Sequence, residues 1–301
     1  MTVGVAVLNF GEPEQPTREN VVGYLERIFY DNMEIEGDTT ESDARERAAT
    51  LAQRRAPALI EEYEEIGGSP LQAHARTQAS LLEKELRERG YDARTYVGMQ
   101  FTEPFVEDAV ENARSDGVDH LVGLPIYPLC GPSTNVAALE RLAAAVEETG
   151  WDVELNELTG WHTHPEYTRL RAENVRSFVE TRGLTLDGDT RLVFSAHGTP
   201  LYYLEEGSRY DQYVREYCEA LASALGVGES ELDVELREEA EEAGLDFYRV
   251  PIPYDDDRFI AALADLVEPF AAGFDPGYYD LHQCECRDAP GAFCLNAPHG
   301  R

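Results

Sequence analysis

Lysine is nearly missing from this chain: Lys84 is the single one in 301 residues, and every other basic side chain is an arginine. Basic residues number 25 against 59 acidic ones, a net charge of −34. That balance leaves no broad cationic face, which argues against nucleic acid or anionic lipid as a partner. The carboxylate excess suits a protein kept soluble in concentrated salt, where screening limits repulsion between like charges to about 3 Å at 1 M. A salt-loving source is expected. No run approaches the roughly 20 apolar residues that span a bilayer. The stretch 1–8 lacks the cationic region of a secretory signal and leads straight into Asn9 and Gly11. The expected location is therefore the cytoplasm. Five cysteines, an odd number, argue in that setting against a disulfide framework. Low-complexity tracts and short repeats are absent too.

What is present is a globular composition, 43% hydrophobic, in a chain long enough for one or two domains. Apolar runs over 3–8, 93–99 and 120–127 predict strands. Helical spacing of apolar residues predicts helices over 18–30, about 43–66, 71–88, 103–114 and 137–148. Pro57 is expected to interrupt or begin a helix, and Ser133 to Asn135 to cap the last of these. This alternation predicts an α/β fold with a parallel sheet and right-handed crossovers. Near Gly150 the pattern restarts. Strands are expected over 153–158, 191–196 and 246–251, and helices over 165–181, 210–225, 232–243 and 257–270. Three strands make a thin second sheet, and the two helices joined by 226–230 break the alternation. The expected domains are 1–150 and 151–272, followed by a cysteine-rich tail, 273–301, without period.

The run Leu192-Val-Phe194 reads as a strand buried on both faces, with Ser195, Ala196 and His197 at its end and Gly198 and Pro200 breaking direction. Open parallel sheets bind ligands beyond the carboxyl ends of their strands. His197 is thus offered to a cleft, where an imidazole can bind a metal or move a proton.

Leu8-Asn-Phe-Gly-Glu-Pro13, Ile66-Gly-Gly-Ser-Pro70, Gly98-Met-Gln-Phe-Thr-Glu-Pro104, Leu124-Pro-Ile-Tyr-Pro128 and Phe194-Ser-Ala-His197, in this order and spacing, resemble the ferrochelatases, which insert ferrous iron into a porphyrin. The resemblance spans roughly residues 3–225 and resumes over 231–270. It implies two Rossmann-like domains, the second one shortened here, with a porphyrin cleft between them. It further implies that Fe²⁺ is a substrate and that the porphyrin is protoporphyrin IX or coproporphyrin. His197 matches the family's metal-site histidine. Arg55, Tyr63 and Ser69 match positions that line the porphyrin and meet its propionates, and Phe10 matches a position against the macrocycle. Physical reasons stand beside each transfer. Two pyrrole protons must leave, so a neutral base must face the ring. Arg55 can hold a carboxylate through two parallel hydrogen bonds, and Ser69 can donate another. Phe10 can press on the macrocycle, but unlike a tyrosine it cannot ligate iron.

One departure bears on activity. The family's catalytic glutamate belongs to a segment that here shrinks to Gly226–Ser230. Glu229, Glu205 and Glu206 are the acids available to replace it. The tail thiols Cys284, Cys286 and Cys294, with the internal Cys130, make four. That number suits the [2Fe–2S] cluster of some ferrochelatases, or zinc, although the spacing differs from the animal enzymes. Free thiols are the alternative, His282 and His299 are spare ligands, and Cys218 reads as core. Three functions remain open: a ferrochelatase of haem synthesis, a porphyrin- or haem-binding homologue without turnover, and a chelatase for another tetrapyrrole such as sirohydrochlorin. Transient contact with a membrane or another haem-pathway enzyme is compatible with the first. The oligomeric state is not legible.

Overall fold

A computed structural model describes residues 1–35, 40–186, 190, 192–227, 246, 248–273, 281–284 and 286–295. The chain is mixed α/β and divides into two compact units. One comprises 1–83, 92–126 and 137–155; the other comprises 84–91, 127–136 and 156–301.

The first unit is built on β1 (Val3–Asn9), every residue of which is buried. Parallel neighbours cover both its edges: β2 (Ala93–Met99), with Val5 opposite Thr95, and β3 (His120–Pro125), with Val5 opposite Val122. A central parallel strand with no water-facing side reads as a continuous apolar run, and Val3 to Leu8 is one. The helices here are α1 (Arg18–Ile35), α2 (Glu41–Glu65), α3 (Leu71–Glu88), α4 (Val106–Ser115) and α5 (Ala137–Thr149). The last turns of α3 belong to the second unit. Ala6, Leu8, Val110, Leu121, Leu139 and Leu142 share one core. Gly98 lets β2 approach α4, since a Cβ there would lie 3.1 Å from the Val106 Cα. Along α2 the buried residues are Ala44, Ala48, Ala52 and Ala56. This four-residue spacing puts the small side chains on one face, and Ala52 and Ala56 meet Val21 and Leu25 of α1. Pro57 neither starts nor breaks α2. It is exposed, where water can serve the carbonyl left by the missing N–H.

The second unit holds β4 (Glu154–Leu158), whose first two residues count with the first unit, and the tail strands β5 (His282–Gln283) and β6 (Ala292–Cys294). β6 runs parallel to β4, with Leu158 opposite Phe293, and antiparallel to β5. Its helices are α6 (Pro165–Thr181), the short α7 (Leu201–Glu205), α8 (Tyr210–Leu225) and α9 (Asp257–Ala271). Phe259, Ile260, Leu263, Leu266, Val267 and Phe270 give α9 a buried stripe. Trp161 is fully buried and meets Tyr167 and Phe259 with ring centroids 5.0 and 6.2 Å apart.

Four further expectations are corrected. Residues 192–200 carry no strand. Leu192, Phe194 and Ala196 are half-buried while Val193 and Ser195 are exposed, so the segment has one sheltered side, not two. No strand occurs at 246 or 248–251 either. The tail is not patternless, for it supplies β5 and β6. Finally, Ser133 to Asn135 do not cap α5 but form part of a π-helical turn, Pro132–Val136. Asn135 is buried there and donates to the carbonyls of Tyr127, at 2.8 Å, and Thr159. The helix expected over 232–243 lies outside the described residues. Among those residues no helix is long and apolar enough to cross a membrane.

Candidate functional sites

In the first unit, the residues proposed to meet porphyrin cluster at the carboxyl end of β1. Phe10 is half-buried; its ring stands edge-on to Phe101 at 4.5 Å and to Tyr24 at 6.3 Å. Gly11 follows with φ of +93°, and a Cβ there would come within 2.3 Å of the Thr102 hydroxyl. Only glycine serves that turn. The Tyr24 hydroxyl donates to the Gly11 carbonyl at 3.2 Å. Glu12, 6% exposed, turns its carboxylate onto the start of α3, accepting from the backbone N–H of Leu71 at 3.2 Å and of Gln72 at 2.8 Å. A carboxylate is favoured at a helix N-terminus, where N–H groups lack helical partners. The Leu71 N–H is shared with Ser69 Oγ at 3.3 Å. Tyr63, on α2, belongs to the same group: burial first, then the charges of Glu12 and Glu62, push its hydroxyl above the ordinary phenol range. Phe10, Ser69 and Tyr63 are thus linked through Glu12 and Tyr24. Arg55 lies two turns before Tyr63 on an exposed stretch of α2. Its guanidinium donates through one nitrogen to both oxygens of Glu62, at 2.8 and 3.0 Å.

Glu12 lies inside Leu8–Pro13 without a local sign of its role, and an arginine pair has no sequence signal at all. Arg27 donates to the Phe101 carbonyl at 2.7 Å and Arg141 to the Gln100 carbonyl at 2.6 Å, so both steady the loop after β2. Burial, then the Arg141 charge, lowers the Arg27 pKa.

In the second unit, His197 is exposed on the irregular segment before α7 rather than at the end of a strand. Glu205 ends α7 and Glu206 follows it, both exposed. Glu229 and His299 lie outside the described residues.

The four cysteines singled out from the sequence do meet. Cys130 lies beyond the end of β3, Cys294 ends β6, Cys284 follows β5, and Cys286 lies in the bend at 286–287. Cys130, Cys284 and Cys294 are buried, Cys286 half-buried. The neighbouring Cys130, Cys286 and Cys294 thiols, and then the Thr159 hydroxyl, hold the Cys284 thiol well below the usual range. The neighbouring Cys284 and Cys286, and then burial, push the Cys130 thiol well up. Two hydroxyls border the group: Thr159 Oγ1 donates to Cys284 Sγ at 3.0 Å, and Tyr213 Oη lies 3.1 Å from Cys286 Sγ. Among the described residues no set of three or more His, Cys, Asp or Glu stands in a metal-holding arrangement. Four thiols match an iron–sulfur cluster or zinc in number and softness, but as placed they do not fit either in arrangement. His282 faces Cys294 across the β5–β6 ladder. Cys218 is half-buried on α8, not core, and burial raises its pKa.

Two buried histidines had no sequence signal. His162 Nε2 lies 3.2 Å from Glu216 Oε2. His164 caps α6, its Nδ1 accepting from the Tyr167 N–H at 3.4 Å, and burial lowers its pKa.

Comparison with known proteins agrees with the motifs. A family model described as ferrochelatase matches residues 2–230. A ferrochelatase of Synechococcus sp. (strain RCC307) is 32% identical over 328 aligned positions, covering 90% of this chain and 83% of its own. One from Nostoc sp. (strain PCC 7120) is 31% identical, covering 88% and 81%. One from Gloeobacter violaceus is 33% identical, covering 74% and 68%.

Proposed function

Because this chain belongs to the ferrochelatase family, a family of porphyrin metal chelatases, we propose that it inserts Fe²⁺ into protoporphyrin IX or coproporphyrin in haem synthesis, a lyase-class reaction in the cytoplasm. Insertion breaks two pyrrole N–H bonds, releases two protons and leaves the iron divalent. His197 accepts one pyrrole proton and passes it to water before the second leaves, the role of a general base. Its exposure on a segment bounded by Gly198 and Pro200 keeps it open to substrate. Arg55 exchanges Glu62 for a propionate. An exposed pair of this kind is worth only about 0–1 kcal/mol, so exchange is cheap. Ser69 adds a hydrogen bond, Tyr63 lines the macrocycle, and Phe10 presses on it. Cys130, Cys284, Cys286 and Cys294 would be the ligands of a [2Fe–2S] cluster, which would supply a one-electron redox centre, although as placed they form no metal-holding arrangement.

The observation that carries this reading is family membership with the Phe194–His197 motif intact. Anaerobic Fe²⁺ insertion, followed by the porphyrin Soret band, tests it. Turnover is expected in the intact chain and a loss of at least a hundredfold in His197→Ala, within the range for a general base. Tight porphyrin binding without turnover would instead establish a binding homologue. The exposure of Glu205 and Glu206 and the short 226–230 link favour that second reading. Turnover restricted to sirohydrochlorin would move the chain to another tetrapyrrole.

A further inference from the structure

We propose that Arg27 and Arg141 are positioning residues for Phe10, holding it against the macrocycle through the backbone of Gln100 and Phe101. The inference rests on the reading of Phe10 as the side chain that presses on bound porphyrin. The chain leaving β2 stays beside β1 for two more residues. There the Gln100 N–H donates to the Asn9 carbonyl at 2.9 Å and the Phe101 N–H to the Phe10 carbonyl at 3.1 Å. Gln100 and Phe101 are 2% and 4% exposed. Backbone carbonyls shut away from water need donors, and for both of these a guanidinium supplies one. Arg141, on α5, reaches the Gln100 carbonyl at 2.6 Å, and Arg27, on α1, the Phe101 carbonyl at 2.7 Å. The Gln100 carbonyl and the Phe101 N–H belong to one peptide group. Arg141, that peptide and the Phe10 carbonyl therefore form a continuous chain of hydrogen bonds. The positive charge at its head polarises the peptide and strengthens the bond at its foot. Arg141 is itself steadied by Glu107, which accepts from its Nε at 2.7 Å. Arg27 secures the next peptide and lies 5.6 Å from the centre of the Phe105 ring, so it spans the turn from Phe101 to Phe105. The Phe101 ring, fixed in this way, stands edge-on to Phe10 at 4.5 Å. Phe10 is thus held twice by Phe101, once through the main chain and once ring to ring.

The kinetic consequence follows from what a firm support does. A ring that presses on a flat macrocycle strains the bound substrate only as far as the ring itself resists being pushed back. Loosening the support relieves that strain. It lowers kcat and leaves the KM for porphyrin unchanged or lower, whereas a loss of plain contact area raises KM.

The test is anaerobic Fe²⁺ insertion by the full-length chain, with kcat and KM for porphyrin measured separately. Arg27→Met and Arg141→Met are each expected to lower kcat about tenfold, within what a small misplacement near the reacting groups costs, with no rise in KM. Arg27→Lys keeps a charge and a donor and is expected to recover most of the loss. Arg45→Met removes an exposed arginine of α2 and is expected to leave both constants unmoved. In a Phe10→Ala background Arg27→Met is expected to cost nothing further, because the residue it acts through is gone. Equal losses with and without Phe10, or a rise in KM alone, overturn the proposal. Should either methionine variant fail to fold, as judged by circular dichroism, the other decides it through its own cycle with Phe10→Ala. A chain that binds porphyrin without turnover is read by resonance Raman: the out-of-plane bands of the bound ring are expected to weaken in Arg27→Met, and equal bands overturn the proposal. A Phe10→Ala variant that matches the unaltered chain, or an unaltered chain that binds no porphyrin, sinks the reading of Phe10 and this proposal with it. Those outcomes appear before any arginine is changed, so the two failures are told apart.

Discussion

His164 serves α6 with a lone pair, and a proton can take that lone pair away. Its Nδ1 accepts the Tyr167 N–H, while Nε2 lies 3.6 Å from Asp265 Oδ2. Burial is the leading influence and outweighs the nearby Asp265 and Glu166 charges, so the folded protein holds His164 with a pKa below the ordinary 6.5. The unfolded chain therefore binds a proton that the folded chain refuses over a window just below pH 6.5. Stability from this residue is whole above about pH 6.5 and falls as pH drops through the window, because the unfolded state binds more protons there. Urea unfolding at pH 7.5 and 5.5 measures the slope. His164→Asn keeps a cap acceptor and has nothing to titrate; it is expected to flatten that slope, and a slope equal to that of the unaltered chain would refute the account. Glu12 makes a related point about legibility. It was visible inside Leu8–Pro13, but its acceptors' partners lie 59 and 60 residues onward, and nothing in a local pattern announces such a bond.

Elements with a long period were readable. Helices α3, α6 and α8 begin and end where their apolar spacing and flanking glycines or prolines say, because a helix writes its own pattern over several turns. Short strands do not. Three apolar residues at 192–194 suggested a strand that is absent, whereas Ala292–Cys294, no longer and no more apolar, is one because β4 supplies its ladder. Partners, not propensity, decide strands of that length. The same docking brings the tail thiols to Cys130, so their convergence was readable as a count of four but not as geometry. One ion pair clamps this arrangement: Arg287, in the tail, donates to both carboxylate oxygens of Glu157 in β4, one of these bonds at 2.8 Å. The side chains are 10% and 3% exposed. Removing one partner strands a buried charge, so Arg287→Ala is expected to destabilise the tail docking by about 3–5 kcal/mol. Hydrogen exchange at the Cys284 and Thr159 amides, which bond the Ala292 and Phe293 carbonyls, reads it directly. Protection in Arg287→Ala equal to the unaltered chain would mean that β6 holds without the clamp.

At the scale of the whole molecule, charge is the term that no element reveals. Acidic residues outnumber basic ones by 34, so local pairing leaves a large net repulsion however the arginines are used. Many of those pairs are exposed, as Arg45–Glu41 with side chains 66% and 71% exposed, and contribute little each. Self-repulsion favours the expanded chain, and it acts over the Debye length, about 10 Å at 0.1 M salt and about 3 Å at 1 M. Raising KCl from 0.1 to 2 M is therefore expected to raise the melting temperature, steeply at first and with a plateau once the screening length falls below the spacing of neighbouring carboxylates. Salt also screens the attractive pairs, but with 59 acids against 25 bases the like-charge contacts dominate the sum. Sucrose, which strengthens burial without ionic strength, separates screening from exclusion: it should yield a shallow, continuous rise with no plateau. A melting temperature that is flat in KCl, or that follows sucrose and KCl alike, would remove the electrostatic explanation and leave the acidic composition without a role in folding.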